Sequence, residues 1–279
     1  IEESDKSMFL YEDNGDGTVS LTGFNSEYTE KIPDALKLPV SYDNKPITKI
    51  SQRAITNVTE FSNVKILVVP EGIREIGLGA FGAATNIEEL YLPSTLESIG
   101  VSVFTNSKTL KKVTLPNVIV SSSSQNYRVS DLFSASKTSI EEVKFSGEIT
   151  AIGNNAFDGF TGLKSVKFTD SIQSIGNYSF RNCTALTGEV VIPAEITQIG
   201  QYAFSNCKSI SSINFTRASK LTTIGRNAFS GNESITEVVL PEGLIDIGIA
   251  AFSSDTNLTN ATIPESVTTI GSNAFGSCN

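Results

Sequence analysis

Hydrophobic and polar positions alternate along most of this chain in a pattern that returns about every 23 residues. One short stretch places two apolar residues at i and i+2: Leu67/Val69, Leu90/Leu92, Val113/Leu115, Val143/Phe145, Val166/Phe168, Val190/Ile192, Ile213/Phe215, Val238/Leu240 and Ala261/Ile263. Period-two spacing sends each pair to one face of an extended segment and the residues between to the other, so each stretch predicts a strand. Proline follows six of these pairs at once, at Pro70, Pro93, Pro116, Pro193, Pro241 and Pro264. A residue with no amide hydrogen cannot continue a ladder, which marks the strand ends. A second extended piece reads Ile-x-x-Ile-Gly, as in Ile196/Ile199-Gly200 and Leu244/Ile247-Gly248. Its glycine predicts a positive φ or a close backbone approach at the corner of each repeat. Phenylalanine closes the unit nine times, at Phe81, Phe104, Phe133, Phe157, Phe180, Phe204, Phe229, Phe252 and Phe275, usually behind a small residue. Between glycine and phenylalanine there is room for a single helical turn.

A unit holding a strand, a turn, a second short extended piece and a helical turn is a leucine-rich-repeat coil, and a fixed period of this length means a solenoid. The predicted fold has about ten such coils of roughly 23 residues, with a parallel β-sheet on a concave face and the phenylalanines on the convex side. At about 4.8 Å per strand that sheet would be roughly 45 Å long. The period fails once. Phe133 stands 17 positions after Pro116 where neighbouring repeats take 11, and the corner glycine is missing. An insertion is expected at about 117–131, on a loop face of the kind that binds ligands in solenoids. Residues 50–279 form the expected solenoid and residues 1–49 a separate N-terminal segment. There Asn14-Gly15-Asp16-Gly17, set between apolar alternations, predicts a hairpin turn.

The consensus Ile-x-x-Ile-Gly-x-x-Ala-Phe-x-x-Cys-x-x-Leu-x-x-Val-x-Ile-Pro is nearly complete from Ile196 to Leu240. It resembles the BspA-type leucine-rich repeats of bacterial surface proteins and some parasitic protists. The resemblance implies that residues 1–49 cap the first open edge of the stack, which a solenoid requires for solubility. It also implies an exported or cell-surface protein that adheres to extracellular-matrix proteins or other cells, without enzymatic activity.

Composition narrows the picture further. The 279 residues include 21 Lys plus Arg and 30 Asp plus Glu, a formal net charge of −9, which argues against a nucleic-acid partner. Histidine is absent, which excludes His-based triads, His general bases and His-ligated metals. No nucleophile, carboxylate-pair or phosphate-loop motif stands out from the repeat, so no catalytic residue, cofactor or metal is expected. No apolar run approaches the roughly 20 residues of a membrane span. The acidic start, Ile1-Glu2-Glu3-Ser4-Asp5, is unlike a signal peptide and is read as following a removed leader. Cys183, Cys207 and Cys278 each stand three residues behind a repeat phenylalanine and read as small packed thiols. Seven sequons, beginning at Asn57, Asn177, Asn182, Asn214, Asn232, Asn257 and Asn260, read as accidents of an Asn/Ser/Thr-rich chain.

Charge is unevenly distributed. Residues 108–167 hold eight basic and five acidic side chains, +3, which leaves −12 for the rest of the chain. By alternation Lys112, Lys144 and Lys167 project from the solvent side of the expected sheet, beside Tyr91 and near the inserted Tyr127 and Arg128. These six residues are the candidate ligand-binding set, facing an acidic protein or a glycan. The competing reading is a solvated lysine face that resists edge pairing. For the whole chain the expected role is a protein-interaction or adhesion module taking a protein or glycoprotein ligand. The alternative is a structural spacer, or a module that self-associates weakly through its C-terminal edge.

Overall fold

A computed structural model describes all 279 residues. The chain is a parallel β-solenoid of about ten turns with few helices. It divides into two compact units. The first comprises Ile1–Ile119, Ser124–Tyr127 and Asp131–Gly147, and the second Val120–Ser123, Arg128–Ser130 and Glu148–Asn279.

In the first unit, strands Ala35–Lys37, Ile66–Val68, Glu89–Tyr91, Lys112–Pro116 and Glu142–Ser146 pair in parallel, in that order. Their inward residues Leu36, Leu67, Leu90, Val113 and Val143 are buried. A second ladder runs from Val19–Phe24 through Lys45–Ile50 and Glu75–Ile76 to Ser98–Ile99. Phe9–Asp13 joins its first strand antiparallel, across the Asn14–Gly17 turn. In the second unit the Ile-x-x-Ile pieces form an unbroken ladder of two-residue strands: Ala151–Ile152, Ser174–Ile175, Gln198–Ile199, Thr223–Ile224, Asp246–Ile247 and Thr269–Ile270.

The phenylalanine column is interior. Phe81, Phe104 and Phe133 stack at 5.7 and 5.5 Å, and the series Phe157 to Phe275 stacks at 5.1 to 5.5 Å, with rings within 13° of parallel. All but Phe275 are at most 1 % exposed. Each ring fully buried in this way stabilises the stack by roughly 1.5–3 kcal/mol.

The corner glycines act by close approach. None of them has a positive φ, and a Cβ on Gly225 would sit 2.7 Å from the backbone nitrogen of Gln201 in the preceding turn. The left-handed position falls two residues before phenylalanine, at Asn155, Tyr178, Tyr202, Asn227, Ala250 and Asn273, in a run of turns that forms no continuous helix. Several expected inward positions are also less covered than the alternation implies. Phe145, Val166 and Phe168 are half-buried, and Ala261 and Ile263 are exposed. Asn260–Thr262, which carries Ala261, pairs with a strand on one side only. The segment between Pro116 and Phe133 contains two short α-helices, Asn117–Val120 and Val129–Leu132, which bury Ile119, Val120, Val129 and Leu132.

Candidate functional site

The outward side chains of the first unit's sheet fall into two rows set by strand register. Glu89, Lys112 and Glu142 are register partners in one row, and Tyr91, Thr114 and Lys144 in the next. Three of the six candidate residues, Tyr91, Lys112 and Lys144, are therefore together on one face of three adjacent strands. The Lys112 ammonium donates to Glu89 Oε1 at 3.1 Å, and the Tyr91 hydroxyl donates to Glu89 Oε2 at 2.9 Å. Those hydrogen bonds, from Lys112 and then Tyr91, hold the Glu89 carboxyl below its ordinary range and raise both donors. Lys144 pairs with Glu142 at 3.3 Å. The dent among these side chains encloses about 10 Å³, scarcely one water. The surface is thus close to flat, and its positive charge is offset by carboxylates on the same strands.

Tyr127 belongs to the inserted segment, 45 % exposed as a residue and with its amide donating to the Ser124 carbonyl. Arg128 is half-buried and Lys167 exposed, and both belong to the second unit.

The column three residues behind phenylalanine is a buried polar ladder. Ser107, Ser136, Cys183, Cys207 and Cys278 each donate to a backbone carbonyl of an earlier turn. All three cysteines are free, and burial pushes the Cys183 thiol well above its usual value, which removes it as a nucleophile. Farther along, Asn232 Oδ1 accepts from the Cys207 amide at 2.8 Å and Asp255 Oδ1 accepts from the Asn232 amide at 2.7 Å. Asp255 is fully buried, its Oδ2 has no hydrogen-bond partner, and burial raises its pKa to about 8. Asp255 stands three residues behind Phe252, in this column, and sequence reasoning missed that it is a buried acid. The available signal was a charged residue in a column otherwise filled by Ala, Ser, Cys, Asn and Phe. Asn232 is likewise buried, so its sequon is inaccessible in the folded chain.

The BspA type leucine rich repeat region matches this chain in six copies, over residues 40–131, 129–230 and 186–279. Among solved structures, a leucine-rich repeat protein of T. pallidum is similar at 18 % identity, over 97 % of this chain and 86 % of that one, with a TM-score of 0.39. A leucine-rich repeat protein from Bacteroides ovatus is 20 % identical over 100 % and 91 % of the two chains, with a TM-score of 0.38. A leucine rich cell surface protein from Faecalibacterium prausnitzii is 18 % identical over 99 % and 98 %, with a TM-score of 0.34. No curated protein matches.

Proposed function

As this chain belongs to the BspA-type leucine-rich repeat family, whose repeat spans residues 40–279, we propose that it is a non-enzymatic adhesion module of an exported or cell-surface protein. Leucine-rich repeat families are in general protein-interaction modules, and stacked repeats present long regular surfaces suited to that task. The observation that carries the reading is the register itself. Strands such as Glu89–Tyr91, Lys112–Pro116 and Glu142–Ser146 bury one side chain in two and present the rest as aligned rows of aromatic and charged groups. A rigid backbone holds those rows at fixed spacing, so little order has to be imposed when a protein docks. We assign Tyr91, Lys112, Tyr127, Arg128, Lys144 and Lys167 to contact with a protein or glycoprotein ligand, and residues 1–49 to capping the stack.

The experiment is a binding assay on the immobilised chain with purified extracellular-matrix glycoproteins. Saturable binding that weakens in the Lys112→Glu, Lys144→Glu, Lys167→Glu variant supports the reading. Binding that is indifferent to the triple reversal removes the lysines from the contact, and a chain that captures no glycoprotein removes the matrix partner.

A further inference from the structure

The outer strands of the second unit do not form one continuous ladder. Ile210–Asn214 pairs with Gly188–Val191, and Glu237–Val239 pairs with Asn260–Thr262, but no ladder joins the two pairs. Three residues, Pro193 to Glu195 or Pro241 to Gly243, separate the apolar pair from the next extended piece in the flanking turns, whereas five, Thr216 to Lys220, do so here. Asn214 Oδ1 accepts from the Thr216 amide at 2.9 Å, which fixes the start of the longer connection.

Over the break lies a groove of about 580 Å³. Its floor includes the buried Phe215 and Leu240, Val239 beside them is 59 % exposed, and its rim carries Glu189, Glu237 and Glu242. Elsewhere on this chain several outward carboxylates have cation partners: Glu75 with Lys49, Glu88 with Lys111, Glu89 with Lys112, Glu195 with Lys220 and Glu233 with Lys208. No cation pairs with any of the three rim glutamates, though Glu189 accepts an amide hydrogen bond from Asn214 at 3.2 Å. The two cations of the longer connection are turned to earlier turns. Arg217 pairs with Asp170 at 2.7 Å and Lys220 with Glu195 at 2.6 Å. Residues 185–265 hold four basic and eight acidic side chains, a formal −4.

We infer that this groove binds an extended peptide segment in which lysine or arginine alternates with aliphatic residues. Such a segment sends successive side chains to opposite sides. Its cations neutralise the three unpaired carboxylates at the rim while its aliphatic residues cover Val239 and the Phe215–Leu240 floor. Complementary charge sets orientation and speeds encounter, and the apolar floor slows release. The inference rests on the interaction-module reading and supplies a second contact face with the opposite charge preference to the lysine-bearing one.

Fluorescence anisotropy on the full chain tests it, with a labelled short peptide alternating lysine and leucine and its glutamate–leucine counterpart as probes. The lysine peptide is expected to bind and the glutamate peptide to bind about tenfold more weakly or not at all. Glu189→Gln, Glu237→Gln, Glu242→Gln should weaken the lysine peptide by about tenfold, as should Val239→Asp, while Glu2→Gln, Glu27→Gln, Glu30→Gln, with the same change in net charge, should leave it within about twofold. Equal losses in the two triple variants, or equal binding of the two peptides, overturn the groove. A chain that captures a matrix glycoprotein yet fails these tests keeps the module reading and loses this one. Peptide binding through the groove without glycoprotein capture leaves this inference standing and costs only the matrix partner.

Discussion

Asp255 is the residue at which the repeat's geometry and its chemistry conflict. Its column mostly holds small side chains that bond to a neighbouring turn, and an aspartate does so with Oδ1 while leaving Oδ2 buried and unpaired. Desolvation lifts its pKa from an ordinary 3.8 to about 8, so the folded chain holds a proton that the unfolded chain releases. Stability from this proton is complete below pH 3.8, declines as pH rises, and is gone once pH passes about 8. Asn232, which makes the equivalent bond to the Cys207 amide at 2.8 Å, shows that an amide fits the column. Asp255→Asn should therefore match the parent near pH 4 and exceed it at pH 8 by about a few kcal/mol, with a flatter pH profile. Urea midpoints measured across that range decide it, and a profile unchanged by the substitution would assign the acid a solvated carboxylate. At the same scale, Gly225→Ala should destabilise despite an ordinary φ, because the new methyl meets the Gln201 backbone at 2.7 Å. A loss of about 1–3 kcal/mol in the same urea assay is expected from such overpacking, and a neutral substitution would mean the turns separate easily.

Elements are held in register by side chains that repeat, and the phenylalanine stack is the longest of these. Phe204 lies between Phe180 at 5.1 Å and Phe229 at 5.5 Å, with Phe168 edge-on at 6.4 Å, so its removal unsupports three rings. Phe204→Ala should cost about 3–5 kcal/mol, and Phe275→Ala, at a less buried end of the stack, distinctly less. Comparing urea midpoints of the two variants checks it, and equal losses would show that stacking is not what the column supplies. Much of this element scale was legible beforehand. The i, i+2 apolar pairs located strands, and the glycine column located the corner, because both are local demands of a recurring backbone. What was not legible depended on neighbours across turns. Sequence could not decide between positive φ and close approach at Gly225, nor tell that Tyr178 and Tyr202 occupy the left-handed position or that Lys112 and Lys144 spend their charge on Glu89 and Glu142. The break beside Thr216–Lys220 was visible only as an interval of 25 residues between Phe204 and Phe229, a smaller departure than the insertion that drew attention to Tyr127 and Arg128.

For the molecule as a whole, each turn of a solenoid is stabilised by the turns it touches, so local opening should follow how well each turn is covered. In the second unit the coverage is uneven. Ile199, Ile224 and Ile247 are at most 1 % exposed in a ladder flanked on both sides, whereas Ile270 in the last strand of that ladder is 53 % exposed and Ile263 is 39 % exposed. Backbone hydrogen bonds in the two settings are alike in length. The Gly225 amide donates to Ile199 at 2.9 Å and the Gly271 amide to Ile247 at 2.7 Å. Differences in exchange are then expected from packing, since the hydrogen bonds of the exposed rung are no longer than those of the covered one. Hydrogen–deuterium exchange should accordingly show the amides of residues 260–276 exchanging well ahead of those of residues 196–230, with protection rising turn by turn toward the covered rungs. Uniform protection across residues 196–276 would mean that this unit opens all at once, and nearest-neighbour coverage would then not be what sets its local stability.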